Sequence, residues 1–599
     1  MISYNQLLTL LLLPLLSEAA PARSKRAITP ITDGSTVSGN TYNYVIAGGG
    51  LAGSVLASRL TEDSSVTVLV IEAGFDQESN TGVTGMSPSP ARFHRSILYE
   101  TDPANYQATF GSDIDWAYQT VDQANGVSQT MRSGKALGGS TTINGMAWSK
   151  PHTFQMLMAE DFEAPSSAQL ADGVTYDANC RGTGGPIGTQ YSTTGIPAHL
   201  EDDFNTTVQS LGLPYETDLT CGDPAGAGPI SDTTQGGFRI DAYRGYLYGK
   251  TRPNLTILSG ANVGKVLLSS DSTPQATGLE FQDENGNTYI VSASDEVIMA
   301  TGSIKTPVIL QQSGIGPSDV LSNAGVTPVL DLPVGLNLID QTTVTTDWTF
   351  KGKRGGGQDI MFPRFQDLVA GDDAATLSDM LQNDLETYAQ ANVDAGATFS
   401  ASGLQTILQI QADWILNQSA GIAESFDYSF SKTLGYDSWY LLPFGRGSIK
   451  IQDDQAYASN FNIDPRYFSN PFDRLAQGAT VRFTRTVSSA TPLSNDVTAE
   501  DTPGTSAVPS SSSLDDWATW AENNYRSNWH PIGTCAMMNQ SMGGVVDSNY
   551  KVYGVDGLRV VDGSVLPFQV SAHLMTVLYG LSERAADIIK TARNGTTSA

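Results

Sequence analysis

The stretch Tyr42–Gly74, YNYVIAGGGLAGSVLASRLTEDSSVTVLVIEAG, decides the fold. It reads as an apolar strand, a glycine turn, an amphipathic helix and a second apolar strand. The second strand, from Val66 to Ile71, is built almost wholly of β-branched residues and leucine, the composition of a strand buried on both faces. Together these elements make a βαβ unit of about thirty residues. Gly48, Gly50 and Gly53 fall in a G-x-G-x-x-G frame, and Glu72 closes the second strand. That spacing has a physical purpose. The first glycine allows the tight turn, the second lets the backbone approach a pyrophosphate, and the third lets helix and strand pack closely. The pyrophosphate then faces the positive end of the helix. Glu72 is placed to accept hydrogen bonds from ribose hydroxyls.

NAD and FAD both use such a turn, so the choice between them falls to other segments. A second glycine-rich stretch, RSGKALGGSTTING (Arg132–Gly145), can wrap another part of a long cofactor. Asp562-Gly563, at the end of an apolar run from Leu558 to Val561, precedes a long helical pattern to Lys590 and offers backbone donors to phosphate or ribitol. ATGSIKTPVILQQSGIG (Ala300–Gly316) reads as strand end, turn and helix.

Outward from these motifs, 599 residues exceed what one core serves, which predicts two domains. The formal net charge of −29, from 62 acidic and 33 basic residues, disfavours nucleic acid and anionic membrane as partners. It suits a soluble protein handling a neutral or cationic small molecule. At the N-terminus, the apolar run Leu7–Leu16 is too short to span a bilayer and precedes small residues, as in a signal peptide; Lys25-Arg26 then offers a dibasic processing site. Secretion into an oxidising compartment is therefore expected. Of three cysteines, Cys180 and Cys221 share Gly-rich polar contexts and are expected to pair, leaving Cys535 as a buried small hydrophobe. Sequons stand at Asn205, Asn254, Asn417, Asn539 and Asn594. No metal-ligand spacing is present.

Imidazole, with an ordinary pKa near neutrality, is the side chain best suited to act as general base or acid. Two of the five histidines have chemically suggestive surroundings: His530, in RSNWHPIGTCAMM, and His573, at the mouth of an apolar helical pattern.

These segments resemble the glucose–methanol–choline (GMC) oxidoreductase family, and the likeness runs through nearly the whole chain past residue 40. The resemblance implies an α/β and α+β architecture. In it, a doubly wound Rossmann-like FAD-binding domain is interleaved with a substrate domain of antiparallel sheet plus helices. By position, residues 1–26 would be signal peptide and propeptide, and 38–150, 223–345 and 528–599 the FAD-binding domain. Residues 151–222 and 346–527 would form the substrate domain. The implied cofactor is FAD, contacted by Gly48, Gly50, Leu51, Gly53, Glu72, Arg132, Gly138, Ser140, Asn144, Gly145, Val263, Asp562 and Gly563. His530 and His573 coincide with the family's catalytic pair, His530 as principal base and His573 as the group that orients the hydroxyl.

DLPVGLNLIDQTT, VGKVLLS, TCGDPAG, DSWYLLPFGRG and GGVVDSNYKVYGVDGLRVVDGS are similar to segments of the family's glucose-oxidising branch, both oxidases and FAD-dependent dehydrogenases. The Cys180–Cys221 pairing also coincides with that branch's disulfide. The resemblance implies a sugar pocket of Tyr106, Phe426, Asp437, Trp439, Arg526 and Asn528: aromatic faces for a pyranose ring and polar groups for its hydroxyls. The implied reaction takes β-D-glucose to glucono-1,5-lactone, with O2 or a quinone as acceptor. An aryl-alcohol oxidase, with a less polar pocket, is the alternative within the family. Dimerisation is expected by resemblance alone. The chain departs from the family after Lys150-Pro151-His152, where about twenty residues carrying tryptophans and a Gly-Trp pair are missing; His152 itself is expected to be structural.

Overall fold

The decisive segment folds as β1 (Thr41–Ala47), α1 (Leu51–Leu60) and β2 (Val68–Glu72). Every residue of β2 is buried, as its composition requires. The computed structural model describes residues 28–80, 83, 107–149, 154–171, 174–191, 198–223, 225–354 and 359–597. The expected signal peptide, Tyr106 and the Lys150-Pro151-His152 junction lie outside them.

β1 sits inside a seven-stranded sheet with β3 (Leu255–Ser259), β4 (Ala261–Leu268), β5 (Ala276–Asp283) and β6 (Thr288–Met299). β3, β2, β1 and β6 run parallel in that order. The first half of β6 pairs antiparallel with β5, which pairs antiparallel with β4. The second half of β6 pairs parallel with Leu558–Val560, so the chain's last strand returns to the middle of its first sheet. α2 (Gly302–Gln312) follows β6 directly. Val45, Ile46, Leu69, Val70, Ile298 and Val560 are buried together in one core.

A second sheet is antiparallel and has its own core. It contains β7 (Thr342–Arg354) and β8 (Asp359–Met361); the helices α3 (Gly371–Asn383), α4 (Leu385–Asp394) and α5 (Ala401–Leu416) follow. Then come β9 (Ala423–Tyr440), α6 (Pro471–Ser489), β10 (Val497–Thr502), α7 (Leu514–Asn523) and β11 (Tyr525–Ser527). β7 is flanked by β9 on one side and by β10 and β11 on the other. Trp348, Phe362, Leu408, Tyr436 and Phe472 pack in this second core. Ala227–Pro229 pairs with β8 and so belongs to this sheet, although it falls within the 223–345 span expected for the cofactor domain. After β9 a separate strand, Gly447–Ile451, joins a small three-stranded sheet. The chain closes with β12 (Leu558–Val560) and α8 (Leu574–Thr597).

β9 is not straight. Eighteen extended residues would span roughly 60 Å, yet Phe426 and Trp439, near its two ends, stack with ring centroids 6.2 Å apart. The Tyr428 ring lies against Gly435, where a Cβ would come within 2.2 Å of it. The strand therefore doubles back between these two residues, and both arms deliver side chains to one place.

Cys180 and Cys221 form the expected disulfide, and Cys535 is buried and free. The bond spans 41 residues of sequence. Replacing both cysteines with serine is expected to cost about 2–5 kcal/mol. Denaturant unfolding of the double variant checks this; an unchanged midpoint would contradict it.

Candidate active site

The glycine turn is shaped by contacts that leave no room for side chains. Gly48 has φ +97°, and a Cβ there would lie 2.4 Å from the Ala300 carbonyl oxygen. A Cβ on Gly53 would sit 1.9 Å from the Gly48 carbonyl oxygen. Gly50 differs, because a Cβ there would meet only the Cα of Gly139, at 3.6 Å. The second glycine-rich loop thus stands backbone-to-backbone over the first, fastened by a Gly138 N–H to Gly49 carbonyl bond of 2.9 Å.

Glu72 has a structural part in the turn. Its two carboxylate oxygens accept the N–H groups of Gly49 and Gly74, each at 2.8 Å, and so brace the turn from behind. Asp562 plays the matching role at the other end of the chain. It accepts from Gly302 N–H (2.9 Å), Thr306 Oγ1 (2.6 Å) and Ser564 N–H (2.9 Å), tying the start of α2 to the turn after β12. Asn144 accepts from Arg239 at 2.8 Å and donates to Met575 Sδ at 3.1 Å, which links the second loop to the start of α8. Arg132 pairs with Asp115 at 2.6 Å, and its buried Nε has no partner among the described residues. Leu51 is the first residue of α1, Ser140 caps Gly134 N–H at 3.1 Å, and Val263 is buried in β4. Gly145 and Gly563 flank the same region, each half-buried or buried. Two glycine backbones facing each other, a helix N-terminus and an unused guanidinium donor fit an extended dinucleotide such as FAD.

His530 is presented by a bulge. Residues 339–344 run antiparallel to 525–532, with Asn528 N–H on Gln341 carbonyl (2.9 Å) and Ile532 N–H on Ile339 carbonyl (2.9 Å). Between those bonds, residues 529–531 oppose Asp340 alone, and Trp529 adopts φ +60°. The buried Asp340 carboxylate holds the bulge. It accepts His530 N–H at 2.8 Å and Ser527 Oγ at 2.6 Å, and it also bonds the Tyr467 hydroxyl. The His530 ring then lies 6.0 Å from that of His573, nearly perpendicular to it. Burial, with His573 and Arg526 nearby, pulls its pKa down to about 3, so the ring is a neutral acceptor.

His573 immediately precedes α8, and its N–H donates to Ser149 Oγ at 3.1 Å. Its Nε2 pairs with the fully buried carboxylate of Glu424, which burial pushes above the ordinary carboxylate range and which also faces the Trp439 indole. Phe426 and Trp439 stand edge-on to His573, at 5.4 and 6.0 Å. Asp437 and Arg526 pair at 2.9 Å, with Thr345 Oγ1 donating to Asp437 at 2.5 Å and the guanidinium 4.2 Å over Trp529. Asn528 accepts from Thr343 Oγ1 at 2.6 Å.

The fold thus gathers His530, His573, Phe426, Asp437, Trp439, Arg526 and Asn528 around one site. Glu424, Asp340 and Gln341 belong to it and escape a motif search. An acid within the buried run Ile422-Ala423-Glu424-Ser425 was the available signal for Glu424.

The buried acids also set a pH dependence. Burial pushes Glu72 and Asp473 up to about 7, from ordinary values of 4.5 and 3.8. The folded chain keeps these protons where the unfolded chain has lost them. Their contribution is full below about pH 4 and is lost as pH rises through 7. Asp241, Asp340, Glu424 and Asp562 shift the same way. His530 opposes them, since its depressed pKa favours the fold above its ordinary 6.5. The carboxyls outnumber it, so the Tm is expected to fall between about pH 4.5 and 7.5. A rise over that interval in a calorimetric scan would contradict this balance.

Known proteins match the chain over most of its length. The N-terminal GMC oxidoreductase profile matches residues 42–343, and the C-terminal profile matches residues 443–582. The chain is 39% identical over 586 residues to a glucose oxidase of Aspergillus carbonarius, covering 93% of this chain and 94% of that one. It is 37% identical to a glucose oxidase of Penicillium chrysogenum, with the same coverage. Among solved structures, an FAD-dependent oxidoreductase from Chaetomium thermophilum superposes with a TM-score of 0.80 at 26% identity, covering 92% of this chain and all of that one.

Proposed function

The chain belongs to the GMC oxidoreductase family, FAD-dependent enzymes acting on CH–OH groups, and from that premise we propose that it oxidises the C1 hydroxyl of β-D-glucose to glucono-1,5-lactone, with O2 reduced to H2O2. The observation that carries the reading is the polar wall of Asp437, Arg526 and Asn528 set against Phe426 and Trp439, beside two histidines. A pyranose offers both an apolar ring face and several hydroxyls, and this pocket offers partners for each. An aryl alcohol would leave the charged wall desolvated without replacing its hydrogen bonds.

FAD, when bound over the glycine turn, supplies the acceptor for the hydrogen and electron pair leaving C1. The protein's share is positioning and proton handling. His530, neutral and buried, takes the C1 hydroxyl proton at Nε2. His573, held by Glu424, directs its ring at the same hydroxyl. Phe426 and Trp439 exclude water from the reacting face.

Secretion is part of the proposal. The N-terminal leader and the disulfide support it, and no helix among the described residues is long and apolar enough to cross a membrane.

Aerobic turnover with peroxide detection tests the reading on β-D-glucose, other hexoses and benzylic alcohols. Glucose is expected to give the highest kcat/KM, with peroxide equal to substrate consumed. Preference for a benzylic alcohol would overturn the substrate, and turnover only with an added quinone would overturn the acceptor.

A further inference from the structure

Gln341 immediately precedes β7, its side chain meets Nδ1 of the His530 ring, and its orientation is fixed from the far side. Its Nε2 donates to the Leu441 carbonyl at 2.9 Å, so its Oε1 must face His530 and Asn528. Asn528 is fixed in turn by Gln341: the amide atom 3.0 Å from Oε1 must be the donor Nδ2, which leaves Oδ1 to accept from Thr343 Oγ1. Three atoms then form a nearly equilateral triangle: His530 Nδ1 to Gln341 Oε1 at 2.8 Å, His530 Nδ1 to Asn528 Nδ2 at 2.9 Å, and Asn528 Nδ2 to Gln341 Oε1 at 3.0 Å.

Two proton arrangements compete. If Nδ1 carries no proton, Asn528 must donate to both Nδ1 and Oε1, two targets about 60° apart. Amide hydrogens diverge by about 120°, and donors weaken steeply off line. If Nδ1 carries the proton, two separate donors converge on Oε1, and a carbonyl oxygen has two lone pairs and accepts over a broad range of directions. The second arrangement gives Nδ1 and Nδ2 each a separate donor line to Oε1. Among the described residues no carboxylate competes for the ring: Asp340 is spent on the His530 backbone N–H and on Ser527 and Tyr467, while Glu424 is spent on His573.

From this geometry we infer that Gln341 is a positioning residue that locks His530 in the Nδ1–H tautomer, leaving Nε2 as the bare nitrogen aimed into the substrate site. The inference rests on the reading of His530 as the base. The ring is neutral at working pH, held so by burial together with His573 and Arg526, and thus has one ring proton to place. Without Gln341 Oε1, the partner of Nδ1 that remains among the described residues is a donor, Asn528 Nδ2. The tautomer would invert, and Nε2 would carry the proton where a base is needed.

The test is long-range 15N–1H NMR of the [15N]histidine-labelled holoenzyme. The chain holds five histidines, so the spectrum is sparse, and His530 is assigned by its loss in His530→Ala. The wild type is expected to show a protonated Nδ1 and an unprotonated Nε2. Gln341→Leu is expected to invert that pattern and to slow anaerobic flavin reduction by about tenfold or more, with FAD content unchanged. A wild-type Nε2–H signature would overturn the inference even if the variant failed to fold. So would Gln341→Leu keeping both tautomer and rate. Failure of the base assignment would appear separately, as a His530→Ala enzyme still reduced at the wild-type rate.

Discussion

His530→Ala is expected to lower the rate of anaerobic flavin reduction by about 10²- to 10⁴-fold, the range supplied by a positioned general base. The effect should fall on chemistry and not on assembly. The His530 side chain bonds to Gln341 and Asn528, and the bulge that presents it is held through backbone N–H groups by Asp340. Truncating the ring leaves that clamp in place, so the variant should fold and carry FAD with the wild-type absorbance. His573 is a poor substitute for the missing base, because its Nε2 is already committed to Glu424. A stopped-flow trace showing wild-type bleaching in His530→Ala would remove His530 from the chemistry.

Gly53→Ala is expected to have an effect of similar size by a different route. The added methyl would lie 1.9 Å from the Gly48 carbonyl oxygen and 3.5 Å from Ile46 Cγ2. A carbonyl of the main chain cannot swing aside like a side-chain tip. The turn itself must move, and Gly48 is already in a conformation that disfavours other residues, with Ala300 packed behind it. Displacing the turn pulls Gly49 N–H from Glu72 and separates the first loop from the second. The purified variant is therefore expected to lack flavin absorbance and to show no turnover. Stoichiometric FAD in Gly53→Ala would mean that the helix and strand tolerate a wider separation than their packing allows.

The two variants divide the site as the sequence divides it. The cofactor cradle was legible because its chemistry is local: a βαβ unit places its glycines and Glu72 within one short segment, and spacing alone carries the reason. The histidines were legible by their rarity and by resemblance. What the sequence hid is the set of partners brought in by the second sheet. Glu424 and Phe426 meet Asp437 and Trp439 only because β9 reverses near Tyr428, where a glycine at 435 makes space for the ring. Asp340 and Gln341 reach His530 through a register between strands separated by nearly two hundred residues, and one residue's slip in that pairing would turn both away. The sequence suggested a ribose contact for Glu72 and did not show its bracing of Gly49 and Gly74, which follows from where the two backbones meet. Ala227–Pro229 crossed to the second sheet for the same reason: strand pairing is set by tertiary partners and leaves no mark in three residues of sequence.

The most direct test of the whole account is anaerobic mixing of the purified enzyme with β-D-glucose, followed at the oxidised flavin band. Complete bleaching in one exponential phase, with a rate that saturates in glucose, is the predicted result. An unchanged spectrum with glucose, alongside rapid bleaching by a benzylic alcohol, would contradict it.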